Sequence, residues 1–165
     1  MALRTIMTQE QPTLHKRSRP VTNFDDRLFT LLDDMAETLH EANGAGLAAP
    51  QVGILRRVFL IDVDDRGLTE FINPEILETS GEQDGVEGCL SLPDQWGMVK
   101  RPSHVKVRAQ DRNGAWFEWE ADDLAARCVC HETDHLDGHL YSEKVSKWLS
   151  EEEVEAMFAE QEEEA

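Results

Sequence analysis

No run in this sequence approaches the ~20 consecutive apolar residues that a membrane-spanning helix needs, so a membrane partner is not expected. The stretch from Met1 to Gln11 is polar and lacks the apolar centre of a secretory signal, which makes a cytoplasmic protein the expectation. Basic residues are scarce: 16 Lys and Arg stand against 34 Asp and Glu, for a formal charge of −18. Phosphate backbones are repelled by such a surface, so direct nucleic-acid binding is not expected. Cysteine is sparse and odd in number, three in all. That argues against a disulfide framework and leaves metal binding, catalysis or packing. Internal repeats and interior linkers are also missing. A chain of 165 residues can then bury one real core as one domain.

Hydrophobic periodicity gives the elements. Arg4 to Met7 reads as a short strand. Asn23 reads as the N-cap of a helix whose apolar face is Phe24, Leu28, Leu31, Leu32, Met35 and Leu39, with Gly44 as its stop. Strands are expected at Arg57–Val63, Leu68–Ile72, Ile76–Thr79, Val86–Pro93 and His104–Ala109. Asp111-Arg112-Asn113-Gly114 is a hairpin turn into Ala115–Glu120. A helix follows from near Ala121 to Gly138, and a last one from Ser146 or Ser150 to near Phe158. The expected fold is α+β: mixed, mostly antiparallel sheets packed around a central helix, with an N-terminal and a C-terminal helix. Residues 1–148 would form the main domain and 149–165 an acidic C-terminal helix or tail. Residues 151–165 hold eight glutamates and no basic residue, as a solvated, fraying end does.

The central helix carries His131-Glu132-Thr133-Asp134-His135. Residues four apart share a helix face, so both imidazoles can aim at one point, with Glu132 beside them as a base. This HExxH spacing suits two metal ligands plus a proton carrier, although it also arises by chance on surface helices. A catalytic metal needs a third protein ligand. The extended pattern HExxHxxGxxH fails, because Tyr141 occupies the last histidine position. Cys128 shares the helix face, but Cys128, His131 and His135 would span about 10 Å along the axis, too far for one ion. Cys128 fits better as a wall beside the metal. Cys89, from a different segment, can complete the set. A small-residue run, Gly44-Ala45-Gly46-Leu47-Ala48-Ala49-Pro50-Gln51, lets backbone approach a ligand closely and offers one amide, Gln51.

Together, Gly44–Gln51, Glu87-Gly88-Cys89-Leu90-Ser91 and His131–His135 resemble, in order and rough spacing, the three motifs of peptide deformylases. The likeness covers about residues 3–145. It implies an enzyme that removes the formyl group from N-formylmethionine at the start of new proteins and releases formate. It implies that Cys89, His131 and His135 hold one divalent metal, Fe2+ first, with Ni2+, Co2+ or Zn2+ as substitutes. Glu132 would be the proton carrier, and the Gln51 side chain and the Leu90 backbone N–H would stabilise the oxyanion. Gly44, Ala45, Gly46, Val86, Gly88, Leu124 and Cys128 would line the methionine pocket. The partners would be N-formylmethionyl peptides or nascent chains. The rival readings are another HExxH amidase or peptidase, and a catalytically silent, metal-stabilised peptide-binding protein.

Some positions depart from the usual pattern. Cys130 stands where glutamine is common, Thr133 where a large apolar residue is common, and Trp96 where some members carry arginine. Thr133 is expected to weaken packing on the back of its helix. Glu87 and Arg101 are an expected ion pair, read as exposed and of small value.

Overall fold

The structure is a computed structural model and describes residues 2–164, with the side chains of Asp64 and of 160–164 left aside. Two antiparallel sheets and three helices make an α+β fold. The larger sheet has the order β1-β2-β3-β6-β7, with β1 at Gly46–Ala48, β2 at Val58–Asp62, β3 at Leu68–Ser80, β6 at His104–Gln110 and β7 at Trp116–Asp122. The smaller sheet has the order β4-β5-β8, with β4 at Gln83–Cys89, β5 at Leu92–Arg101 and β8 at Val145–Leu149.

β2 shows why the larger sheet is covered on both sides. Val58 and Leu60 pack with Leu32, Met35 and Leu39 of helix α1, Asp26–Glu41. Phe59 and Ile61 point the other way and pack with Ala126, Val129 and Leu136 of helix α2, Asp123–Leu136. A strand buried on both faces needs a continuous apolar run, and Val58–Ile61 is one. A third cluster, Leu14, Leu92, Val99, Leu140 and Tyr141, fixes the smaller sheet beside α2. α2 thus packs on the face of the larger sheet opposite α1.

Several boundaries differ from the sequence reading. Arg4–Met7 is not a strand; Arg4 N–H instead donates to Thr38 Oγ1 and Met7 N–H to the Gln51 carbonyl. The cap of α1 is Asp25, whose Oδ1 accepts from Leu28 N–H, rather than Asn23. At its other end the left-handed residue is Asn43, at φ 54°, and Gly44 N–H closes back on the Leu39 carbonyl. This Schellman-type ending swings Gly44–Gly46 toward the site. The two strands expected around Pro74 are one, β3, interrupted by a register shift where Asn73 sits at φ 51°. A proline is tolerated at such a bulge. Residues 145–149 are a strand, β8, so the last helix, α3 at Glu151–Glu164, does not start at Ser146. Ser150 caps α3: its Oγ accepts from Glu153 N–H, and Glu153 Oε1 accepts from Ser150 N–H. Thr133 donates its hydroxyl to the Val129 carbonyl one turn back.

Candidate metal centre

Two elements bring the candidate ligands together. α2 supplies His131 and His135 one turn apart, with ring centroids 5.0 Å from each other. β4 ends on Cys89, at a two-residue turn, Leu90-Ser91, into β5. One ligand atom from each of Cys89, His131 and His135 lies within 4.8 Å of the other two. Cys89 Sγ is 3.3 Å from His135 Nε2. His135 Nδ1 is buried with no hydrogen-bond partner among the described residues. On His131 the Nδ1 is occupied, 2.8 Å from Glu87 Oε1, which leaves Nε2 as the ring nitrogen for a metal. A thiolate and two imidazoles from two segments, one imidazole braced by a carboxylate, is a donor set that suits a transition metal.

Glu132 lies between this cluster and β1. It is buried, and its Oε1 has no hydrogen-bond partner among the described residues. Burial lifts its pKa to about 7, against the pull of His131. A methyl group at position 46 would sit 2.6 Å from Glu132 Oε2, so Gly46 is glycine because the carboxylate passes there. Gln51 is also buried. Its Oε1 accepts from Ala48 N–H at 2.9 Å. Its Nε2 donates to Ser91 Oγ at 3.1 Å and to Cys89 Sγ at 3.5 Å. The one amide of the small-residue run therefore reaches the Cys89 sulfur itself.

A cavity of about 570 Å³ opens onto Cys89, His131 and Glu132. All seven residues expected for the methionine pocket line it: Gly44, Ala45, Gly46, Val86, Gly88, Leu124 and Cys128. Their depths differ. Cys128 is buried, whereas Leu124 is 59% exposed and stands at the mouth. Leu90 and Trp96 also border the cavity, and the Trp96 indole lies over Gly88.

The Glu87–Arg101 pair forms, but it is not exposed. Arg101 Nε and Nη2 donate to Glu87 at 2.8 and 2.9 Å, with both side chains at most 4% exposed. The sequence reading also missed its company. Arg127 Nη1 donates to Glu87 Oε2 at 2.7 Å, and Arg101 Nη1 reaches Asp134 at 2.7 Å. Burial opposes a charged Glu87, yet hydrogen bonds from Arg101 and His131 outweigh it and hold the carboxyl well below its usual range. One signal was legible: Arg127 precedes His131 by four residues, on the same helix face.

Comparison with known proteins identifies the family. The family model described as polypeptide deformylase matches residues 3–151. A peptide deformylase of Caldicellulosiruptor bescii is 56% identical over 155 residues, covering 94% of this chain and 93% of the relative. Peptide deformylase 1 of Bacillus subtilis is 49% identical, covering 95% of this chain and 99% of the relative. The crystal structure of the peptide deformylase from Thermotoga maritima superposes with a TM-score of 0.86 at 41% identity, covering 88% of this chain and 99% of that one. By profile, by relatives across nearly its whole length and by fold, the chain belongs to the polypeptide deformylase family.

Proposed function

We propose that Cys89, His131 and His135 hold one divalent metal ion, Fe2+ by preference, and that Glu132 carries the proton of the reaction. The observation that carries this reading is the three ligand atoms within 4.8 Å of one another, beside a buried carboxylate with an unpartnered oxygen. The reaction is the family's: hydrolytic removal of the N-formyl group from an N-formylmethionyl peptide. When bound, the metal supplies the acidity that makes water a nucleophile near neutral pH. Glu132 takes the proton and delivers it to the departing amine. Gln51 Nε2 gives the N–H now directed at Cys89 Sγ to the developing oxyanion, beside the Leu90 N–H, while the Ala48 N–H holds the Gln51 oxygen and Ser91 Oγ takes the other amide hydrogen. The methionine side chain enters the cavity between Gly44–Gly46, Val86–Gly88 and Cys128, past Leu124 at the mouth. The peptide is the start of a nascent chain in the cytoplasm, and neither nucleic acid nor membrane is a partner.

The test is Glu132→Ala. Formate release from formyl-Met-Ala is expected to fall by roughly 10²–10⁴-fold, while metal analysis still finds the ion. Unchanged turnover, or loss of the metal with the carboxylate, sinks the assignment. Acetyl-Met-Ala, one methyl larger, is expected to be a far poorer substrate; equal rates would favour a general amidase. A metal-stabilised binding protein without turnover is disfavoured by the family match and by Glu132, Gln51 and the ligand set all being present.

A further inference from the structure

A second cavity, about 620 Å³, opens at the opposite end of α1 from the catalytic one. Its walls come from the N-terminal segment, the start of α1 and the 53–56 loop. In a chain of net charge −18, its lining holds four arginines, Arg4, Arg19, Arg27 and Arg56, against one acid, Asp25. Arg4 is neutralised by Asp34 at 2.9 Å, and Asp25 is engaged in capping α1. Among the described residues, Arg19, Arg27 and Arg56 have no carboxylate within 4.0 Å. Elsewhere several arginines are matched, Arg57 with Asp137, Arg101 with Glu87 and Arg112 with Glu70, while the exposed Arg17 has no carboxylate within 4.0 Å among the described residues. Arg19, Arg27 and Arg56 are solvent-exposed, and all three line this one space. Three buried apolar residues, Val21, Leu28 and Leu31, also line that space.

We propose that this cavity is a binding site for a nucleoside phosphate. The guanidinium groups of Arg19, Arg27 and Arg56 take the phosphate oxygens, a geometry that arginine matches with paired N–H donors. The base or ribose lies against Val21, Leu28 and Leu31. The volume falls in the range of small-molecule sites, about 300–1,000 Å³. A polymer is disfavoured, because phosphates beyond the cavity meet a surface of strongly negative net charge.

The experiment is calorimetric titration of the full-length, nickel-loaded enzyme with adenosine monophosphate, inorganic phosphate, adenosine and a short RNA oligonucleotide. One monophosphate is expected to bind per chain, weakening as salt rises. Inorganic phosphate and adenosine should each bind at least about tenfold less tightly, since each lacks half of the contacts. Arg19→Gln/Arg27→Gln/Arg56→Gln should lose the binding, and the single variant Arg56→Glu should weaken it by about tenfold or more. Both variants should still release formate at the parent rate, which reports an intact fold. No binding of the monophosphate overturns the proposal. So does equal binding by the triple variant, by inorganic phosphate or by adenosine. Tighter binding of the oligonucleotide than of the monophosphate also overturns it.

Discussion

At the scale of single residues, Glu87 joins charge to geometry. Its Oε1 meets His131 and accepts from Arg101, and its Oε2 accepts from Arg101 and Arg127, all in the protein interior. Removing one partner of a buried pair leaves the other charge unpaired, at a cost of about 3–5 kcal/mol. Arg101→Leu leaves Glu87 with Arg127 and His131 and is therefore expected to lower the unfolding free energy, read from urea denaturation, by up to that amount and to weaken metal retention; wild-type values for both would show the pair to be idle. The cysteines should differ in reactivity. Burial, reinforced by the nearby Glu132, pushes the Cys128 thiol up to about 12, so it stays protonated through neutral pH. Cys89 is partly exposed. In metal-free protein, iodoacetamide should label Cys89 well before Cys128, as read by peptide mass mapping. In the proposed site a Cys89 ligand would make bound iron easy to oxidise, so a nickel- or cobalt-loaded enzyme should outlast the iron form in air. Equal aerobic lifetimes would contradict this. Glu87 and Arg101 were both legible as charges in the sequence, but not their burial. A solvent-exposed pair and a buried one look alike until the chain is folded, because burial depends on what α2 places above them.

At the scale of elements, β1 and α2 meet at a single tight point. Gly46→Ala would drive a methyl group into the Glu132 carboxylate. The variant should keep its thermal stability to within about 1 kcal/mol while losing most of its formate release, since a misplacement of about 1 Å costs on the order of 10²-fold. An unaffected rate would mean that the carboxylate has room to move. α3 depends on its start. Ser150→Ala removes one half of the capping box and should cost the helix about 1 kcal/mol, measurable as lower helical content by circular dichroism. α1 and α2 were readable because apolar residues recur at helical spacing over three or more turns. β8 was not. Val145–Leu149 offers only five residues, exposed or half-buried, and becomes a strand because Trp96–Val99 of β5 provide a free edge. Such pairing depends on the neighbour more than on the segment's own pattern.

At the scale of the whole molecule, charge sets the terms of encounter. The C-terminal fifteen residues are acidic, and α3 touches the body through the buried Val154. We expect the enzyme to meet nascent chains without docking its tail on ribosomal RNA. Co-sedimentation with ribosomes that disappears on removing residues 151–165 would refute this. Among the described residues, no helix is long and apolar enough to cross a membrane. What the sequence determined alone was the chemistry. Local spacing puts His131 and His135 on one helix face, a small-residue run marks a close approach, and three ordered motifs name the family. Only the tertiary structure decided that Cys89, 42 residues before His131, arrives beside the two rings, that Glu87 is locked beneath them, and that Gln51 touches the sulfur. Helical periodicity is a property of neighbouring residues. Contacts between β4, α2 and the 49–52 turn depend on how two sheets close around one helix, and no window of sequence contains that information.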